Sequence, residues 1–143
     1  MTAIGSKKVG VVSVSMHTAQ VLATDGTLYG VGDNSVTQIG DGTTTNRAVF
    51  TLNSQFTASV LNSGELLIDV VQGSVNTFVR TNQGRYLIWG DGQSGQYGYQ
   101  LSLSTTGLTY YNIPVEIITI GERIAEVAMF SGQNSTTSMI MFT

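Results

Sequence analysis

Short apolar runs separated by polar turns fill the chain, and they come in matching sets. Val11–Val14 and His17–Ala23 lead through Asp25-Gly26 into Leu28-Tyr29, and Leu67–Val71 and Asn76–Thr81 lead through Gln83-Gly84 into Tyr86–Trp89. The runs are rich in Val, Leu and Thr and bounded by Gly, Asp and Asn, the signature of strands and hairpins. Asp-Gly between two such runs is a hairpin signal, because a tight turn needs a residue at positive φ. No window of about 11 residues keeps the i, i+3, i+4, i+7 apolar spacing of an amphipathic helix. The pattern predicts an all-β fold of antiparallel strands.

The two sets stand at a constant offset of 58 residues, from Thr24-Asp25-Gly26 against Asn82-Gln83-Gly84 through Gly32-Asp33 against Gly90-Asp91 to Gln38-Ile39-Gly40 against Gln96-Tyr97-Gly98. A third set opens at Ile124 with Val127-Ala128-Met129 and continues in Ser138–Phe142. Repetition at this period points to an array of like units. The expected organisation is one β domain over 1–143, with repeat 1 at about 9–66, repeat 2 at about 67–122 and a half repeat at 123–143. Gly26, Gly32, Gly84 and Gly90 are the expected structural turn positions, where chains turn or crowd. Asp41–Arg47 and Leu101–Asn112 read as polar loops, and Pro114 as the opening residue of a strand running to Ile120.

Val-x-Val, His17-Thr18, Asp25-Gly26-x-Leu28-Tyr29, Gly32-Asp33-Asn34 and Gln38-Ile39-Gly40-Asp41-Gly42 together resemble the repeat of the regulator of chromosome condensation family. The second copy is similar in Asn76-Thr77, Gly84, Tyr86, Trp89-Gly90-Asp91, Gly95-Gln96-Tyr97-Gly98 and Ile113-Pro114-Val115. The resemblance covers nearly the whole chain and implies four-stranded propeller blades, here two blades plus a half, a partial β-propeller. It also implies a structural histidine inside the blade at His17, with Asn76 at the same position of the second copy, and Val31 where that copy has Trp89. Two and a half repeats do not close a ring, so the expectation is either an excerpt of a longer protein or an assembly whose neighbours cover the strand edges. Ser138–Phe142, apolar at almost every position, is expected to be covered either by another part of the same chain or by a neighbouring chain.

Composition narrows the chemistry. Only 10% of the residues are charged, where about 25% is usual, and 41% are apolar, which excludes intrinsic disorder. A net charge of −3 gives no footprint for nucleic acid or acidic lipid. Without cysteine there is no disulfide framework, thiolate nucleophile or Cys-ligated metal. Neither a signal-peptide h-region nor a run of about 18 apolar residues occurs, so cytoplasmic synthesis and no membrane partner are the default.

His17, the only histidine, has Ser13, Ser15 and Thr18 nearby but no elbow or orienting acid of a nucleophilic triad. Asp33-Asn34, Asp41 and Asp91 lack the alternate acidic spacing of a calcium loop and suit turns that bond their own backbone. Gly90-Asp91-Gly92-Gln93-Ser94-Gly95 lacks the lysine and following helix of a phosphate loop. No catalytic residue, metal or cofactor is expected. The candidate binding surface is aromatic and polar: Tyr97, Tyr99, Tyr110, Tyr111 and Asn112, suited to a protein partner or a glycan. The expected function is a non-catalytic structural or interaction module, bound to protein partners or copies of itself in a larger assembly such as a viral particle or fibre. The alternatives are a lectin-like glycan-binding module, or an excerpt of a nucleotide-exchange or scaffold propeller.

Overall fold

A computed structural model describes residues 4–91, 110–116, 126–131 and 137–142. All regular structure among them is β-strand: β1 Val9–Val14, β2 Thr18–Ala23, β3 Leu28–Gly32, β4 Arg47–Leu52, β5 Leu67–Gln72, β6 Asn76–Thr81, β7 Tyr86–Asp91, β8 Tyr110–Glu116, β9 Glu126–Ser131 and β10 Thr137–Phe142. They form two four-stranded antiparallel meanders, β1-β2-β3-β4 and β5-β6-β7-β8, and the pair β10-β9. β5, the first strand of the second sheet, meets β1 and β2 of the first sheet and also β9. No helix among the described residues is long and apolar enough to cross a membrane.

The repeat offset survives as structure. β2–β3 and β6–β7 turn through the same hairpin: Ala23 N–H donates to Thr27 C=O and Gly26 N–H to Ala23 C=O, while Thr81 N–H donates to Arg85 C=O and Gly84 N–H to Thr81 C=O. Each loop has three residues, and its glycine takes positive φ, +83° at Gly26 and +80° at Gly84, the type I turn with a glycine bulge.

Gly32 and Gly90 do something different. Gly32 closes β3 and Gly90 stands one residue before the end of β7, both at positive φ and at the register shift toward the outer strand. A Cβ on Gly32 would stand 2.1 Å from the carbonyl oxygen of His17, and one on Gly90 2.4 Å from that of Val75. The same two carbonyls accept the N–H groups of Asp33 and Asp91. This corrects the reading of His17. Its side chain is exposed, and it is the carbonyl that the blade uses. The register also pairs Thr18 with Gly32 and Asn76 with Gly90, so Asn76 answers to Thr18, and Val75 to His17.

The outer strands differ in spacing. Thr51 and Arg47 pair with Gly30 and Gly32 as Val115 and Tyr111 pair with Ile88 and Gly90, so the offset widens from 58 to 64 and the second β3–β4-type connection carries the extra residues. Tyr110–Asn112, expected in a loop, open β8. Pro114 does not open a strand but sits within β8, on the stretch skipped by the register shift of an edge strand, where a missing N–H removes no ladder bond. The remainder of the expected run, 117–120, lies outside the described residues, as does the side-chain environment of Ser138–Phe142.

Candidate interaction surface

The loop from Asp33 to Asn46 is built around one buried amide. Asn34 Nδ2 donates to Asp41 Oδ1 at 3.1 Å and to the Thr43 carbonyl at 2.9 Å, while its Oδ1 accepts the Ile39 N–H at 2.9 Å. Asp41 also accepts the Thr43 N–H and hydroxyl and is paired with Arg47, Nε to Oδ2 2.6 Å. Burial pushes the Asp41 carboxyl up, but hydrogen bonds from Thr43 and Arg47 outweigh it and hold it below its ordinary value. Asp33 accepts from Ser35 and from Gln38 Nε2. Of the groups weighed as calcium ligands, Asp33, Asn34 and Asp41 are thus the internal scaffold of the loop, while Asp91 ends β7.

That scaffold presents the backbone of Gln38–Gly40 to the second blade. The Gln38 carbonyl oxygen lies 3.2 Å from Gln20 Nε2 of its own sheet, and 2.5 Å from Thr77 Oγ1 and 3.1 Å from Trp89 Nε1 of the next. Ile39 is completely buried, and its carbonyl accepts from Gln20 and Asn53. Gly40, at φ +77°, brings its backbone so close that a Cβ would lie 2.3 Å from Trp89 Nε1. Around this seam Leu22, Leu28, Leu67, Val70, Val79, Leu87 and Trp89 form one apolar cluster. Phe56, from the connection between the blades, meets Trp89 edge-on with centroids 5.5 Å apart, worth about 1 kcal/mol beyond its buried area.

A second anchor ties that connection down. Glu65, with no side-chain exposure, pairs with Arg85 at 2.6 Å and accepts the Asn62 N–H at 2.8 Å, and Arg85 also reaches the Val60 carbonyl and Glu116. Burial raises the Glu65 pKa, but hydrogen bonds from Thr81, Asn62 and Arg85 more than offset this and leave it lowered.

Of the residues expected to form a binding surface, Tyr97 and Tyr99 lie outside the described residues. Tyr110 and Tyr111 pair through their backbones with Asp91 and Gly90, and Asn112 follows them in β8; their side chains are outside the description. Among the described residues the exposed large apolar side chains are Val9, Val12, Val14 and Met16 along β1 and its turn, Val49 and Leu52 on β4, and Leu66 and Ile68 at the start of β5. The junction residues Gln38, Thr77 and Trp89 were visible in the sequence only as a repeated Gln-x-Gly and a lone tryptophan. The signal for them was the match of Gln38 to Gln96, which marks a repeat without saying what it touches.

No family model matches the sequence, and no curated protein does. Solved structures do match its fold. The chain superposes on human WBSCR16 with a TM-score of 0.69 at 20% identity, over 88% of this chain and 29% of that one. It superposes on Prp20p from Saccharomyces cerevisiae, a structure presented with its binding properties to Gsp1p and histones, with a TM-score of 0.62 at 17% identity, over 86% of this chain and 29% of that one. Yeast RCC1 (Prp20) with Kap60 bound gives 0.66 at 14% identity, over 84% and 27%. The chain therefore spans less than a third of each of these three structures. It has the fold of regulator of chromosome condensation propeller repeats.

Proposed function

We propose that the chain is a non-catalytic protein-interaction module, a set of propeller blades that works as a component of a larger assembly. The observation that carries this reading is the seam itself. Backbone of one blade is sealed into a polar row of the next, giving a fixed platform, while apolar side chains along β1 and β4 remain exposed. Exposed apolar residues grouped on a rigid scaffold suit a macromolecular contact. One similarly folded protein, Prp20p, is described in two structures together with protein partners, Gsp1p and histones in one and Kap60 in the other, and protein partners are the natural class for this chain. The finer version, a building block of a particle or fibre such as a viral one, draws on the low charge and on copies of the chain as the partners. A glycan partner would use the tyrosine cluster.

The test is the mass of the native particle that contains the chain, measured by light scattering after gentle extraction of a tagged version. A mass well above one chain, with the same chain inert in hydrolase and transferase panels, is expected. A native mass of one chain, or an activity abolished by a point change that leaves the fold intact, overturns the reading.

A further inference from the structure

Among the described residues Thr37 is the one residue other than glycine at positive φ, +65°, and it is buried. A branched side chain is an outlier in that region, because its Cβ crowds the following carbonyl oxygen. The repeat offset sets Gly95 at the same place in the second copy, Thr37-Gln38-Ile39-Gly40 against Gly95-Gln96-Tyr97-Gly98. The sequence thus has at this position once the residue that takes positive φ without cost and once a residue that does not. Two turns meet at Thr37 and hold it there. Its N–H donates to the Asn34 carbonyl at 2.9 Å, and the Gly40 N–H donates to its own carbonyl at 2.9 Å. The Gln38 side chain braces the pair from within, Oε1 accepting the Val36 N–H and Nε2 donating to Asp33, each at 3.0 Å.

The strained residue stands next to the joint between the blades, since the carbonyl that faces Thr77 and Trp89 belongs to Gln38. What the turn brings across that joint is backbone. Its buried apolar side chain, Ile39, packs on its own sheet, where a Cβ on Gly30 would stand 2.7 Å from Ile39 Cγ2. Gln20 of the same sheet holds the carbonyls of both Gln38 and Ile39. Lifting the turn from Thr77 and Trp89 therefore breaks polar contacts and uncovers little apolar surface beyond the edge of the indole. A segment held by few apolar contacts opens at a free energy well below that of the whole fold. Strain that relaxes on opening lowers it further.

We propose that the Thr37–Gly40 turn is a sprung clasp between the first and second blades: it lifts from Thr77 and Trp89 while both sheets stay folded, and the strain at Thr37 sets how often it does so. Glycine at this position, as in the second copy, would hold the clasp shut. The threonine makes the first joint looser than the chain's own repeat pattern allows. The inference concerns a movement inside the chain and goes beyond the reading of the chain as an interaction module.

Hydrogen exchange followed by NMR on the full chain reads the clasp, because the Trp89 indole N–H donates across it and the chain has one tryptophan. In the parent this N–H should be protected at least about tenfold less than the amide of Val79, a fully buried residue of β6. Thr37→Gly should raise the indole protection about fivefold or more. Thr37→Asn, which also accepts the left-handed region and fills more of the buried site, guards against a void left by glycine, and a rise in either variant supports the clasp. Thr37→Val keeps the branched carbon and drops the hydroxyl, so it should bring no rise. An indole as protected as Val79, no rise in either the glycine or the asparagine variant, a rise confined to Val79, or an equal rise with Thr37→Val overturns the proposal.

Discussion

The indole nitrogen of Trp89 lies 3.1 Å from the carbonyl oxygen of Gln38, 51 positions earlier in the chain. The hydrogen bond crosses from one blade to the next, and it shares its acceptor with Thr77 and Gln20. Gln20 and Trp89 still donate to the carbonyl when Thr77 turns its single proton to Gln72 Oε1, so the seam tolerates losing one donor.

Trp89→Phe should therefore cost more through packing than through the lost bond. Thr77→Val, which keeps the volume, removes the one hydroxyl proton that faces both the Gln38 carbonyl and Gln72 Oε1 at 2.6 Å, and should lower stability by about 1 to 2 kcal/mol in urea unfolding, the net worth of one hydrogen bond plus a buried oxygen left without its partner. A cost above about 3 kcal/mol would mean that the remaining donors do not hold the carbonyl.

The glycines separate conformation from crowding. Gly84 has positive φ and nothing within 4 Å of a built Cβ, while Gly90 has positive φ and the Val75 carbonyl in the way. Gly84→Ala should cost about 1 kcal/mol, the left-handed penalty alone. Gly90→Ala and Gly32→Ala should each cost about 3 kcal/mol or more, since backbone must also move. Equal costs at Gly84 and Gly90 would refute the crowding account.

His17→Ala should change stability by no more than about 0.5 kcal/mol, as surface substitutions do. The side chain is exposed, and the carbonyl that binds Asp33 is kept by any residue. Thermal unfolding of the variant decides this.

Acid should loosen the connection between the blades. The Glu65 carboxyl, ordinarily near 4.5, is lowered in the folded chain, so its contribution is complete above that value and is lost as pH falls through the lower folded pKa. Asp41 is lowered too and acts in the same direction. Stability should fall on acidification below pH 4.5, and Glu65→Gln should flatten part of that fall. At neutral pH the same change should cost about 2 to 3 kcal/mol, because Arg85 loses its buried partner. A variant whose acid limb matches the parent's would rule out this role for Glu65.

The inner strands of both blades, the two hairpins and the 58-residue offset were legible in the sequence because each rests on local chemistry: short apolar runs, turn glycines, Thr and Val in the runs; the outer strand β4 was not, and the start of β8 read as loop. His17 and Asn76 were misaligned because the contact that defines their positions is made by backbone, which leaves no mark on residue identity. The start of the strand holding Pro114 was placed too late, at Pro114 and not at Tyr110, since a register shift in an edge strand admits proline where a regular ladder does not. The seam was illegible for another reason. Gln38 meets Trp89 through a carbonyl oxygen, and only the fold brings those two positions together.

The fully buried indole of Trp89 has one more use. It is the only tryptophan in the chain, so all indole fluorescence originates at the contact between the first and second blades. Any parting of those blades that lets water reach the ring should shift its emission to the red before the strands themselves melt. The molecule thus contains its own spectroscopic gauge of blade docking, and no label is needed to follow it.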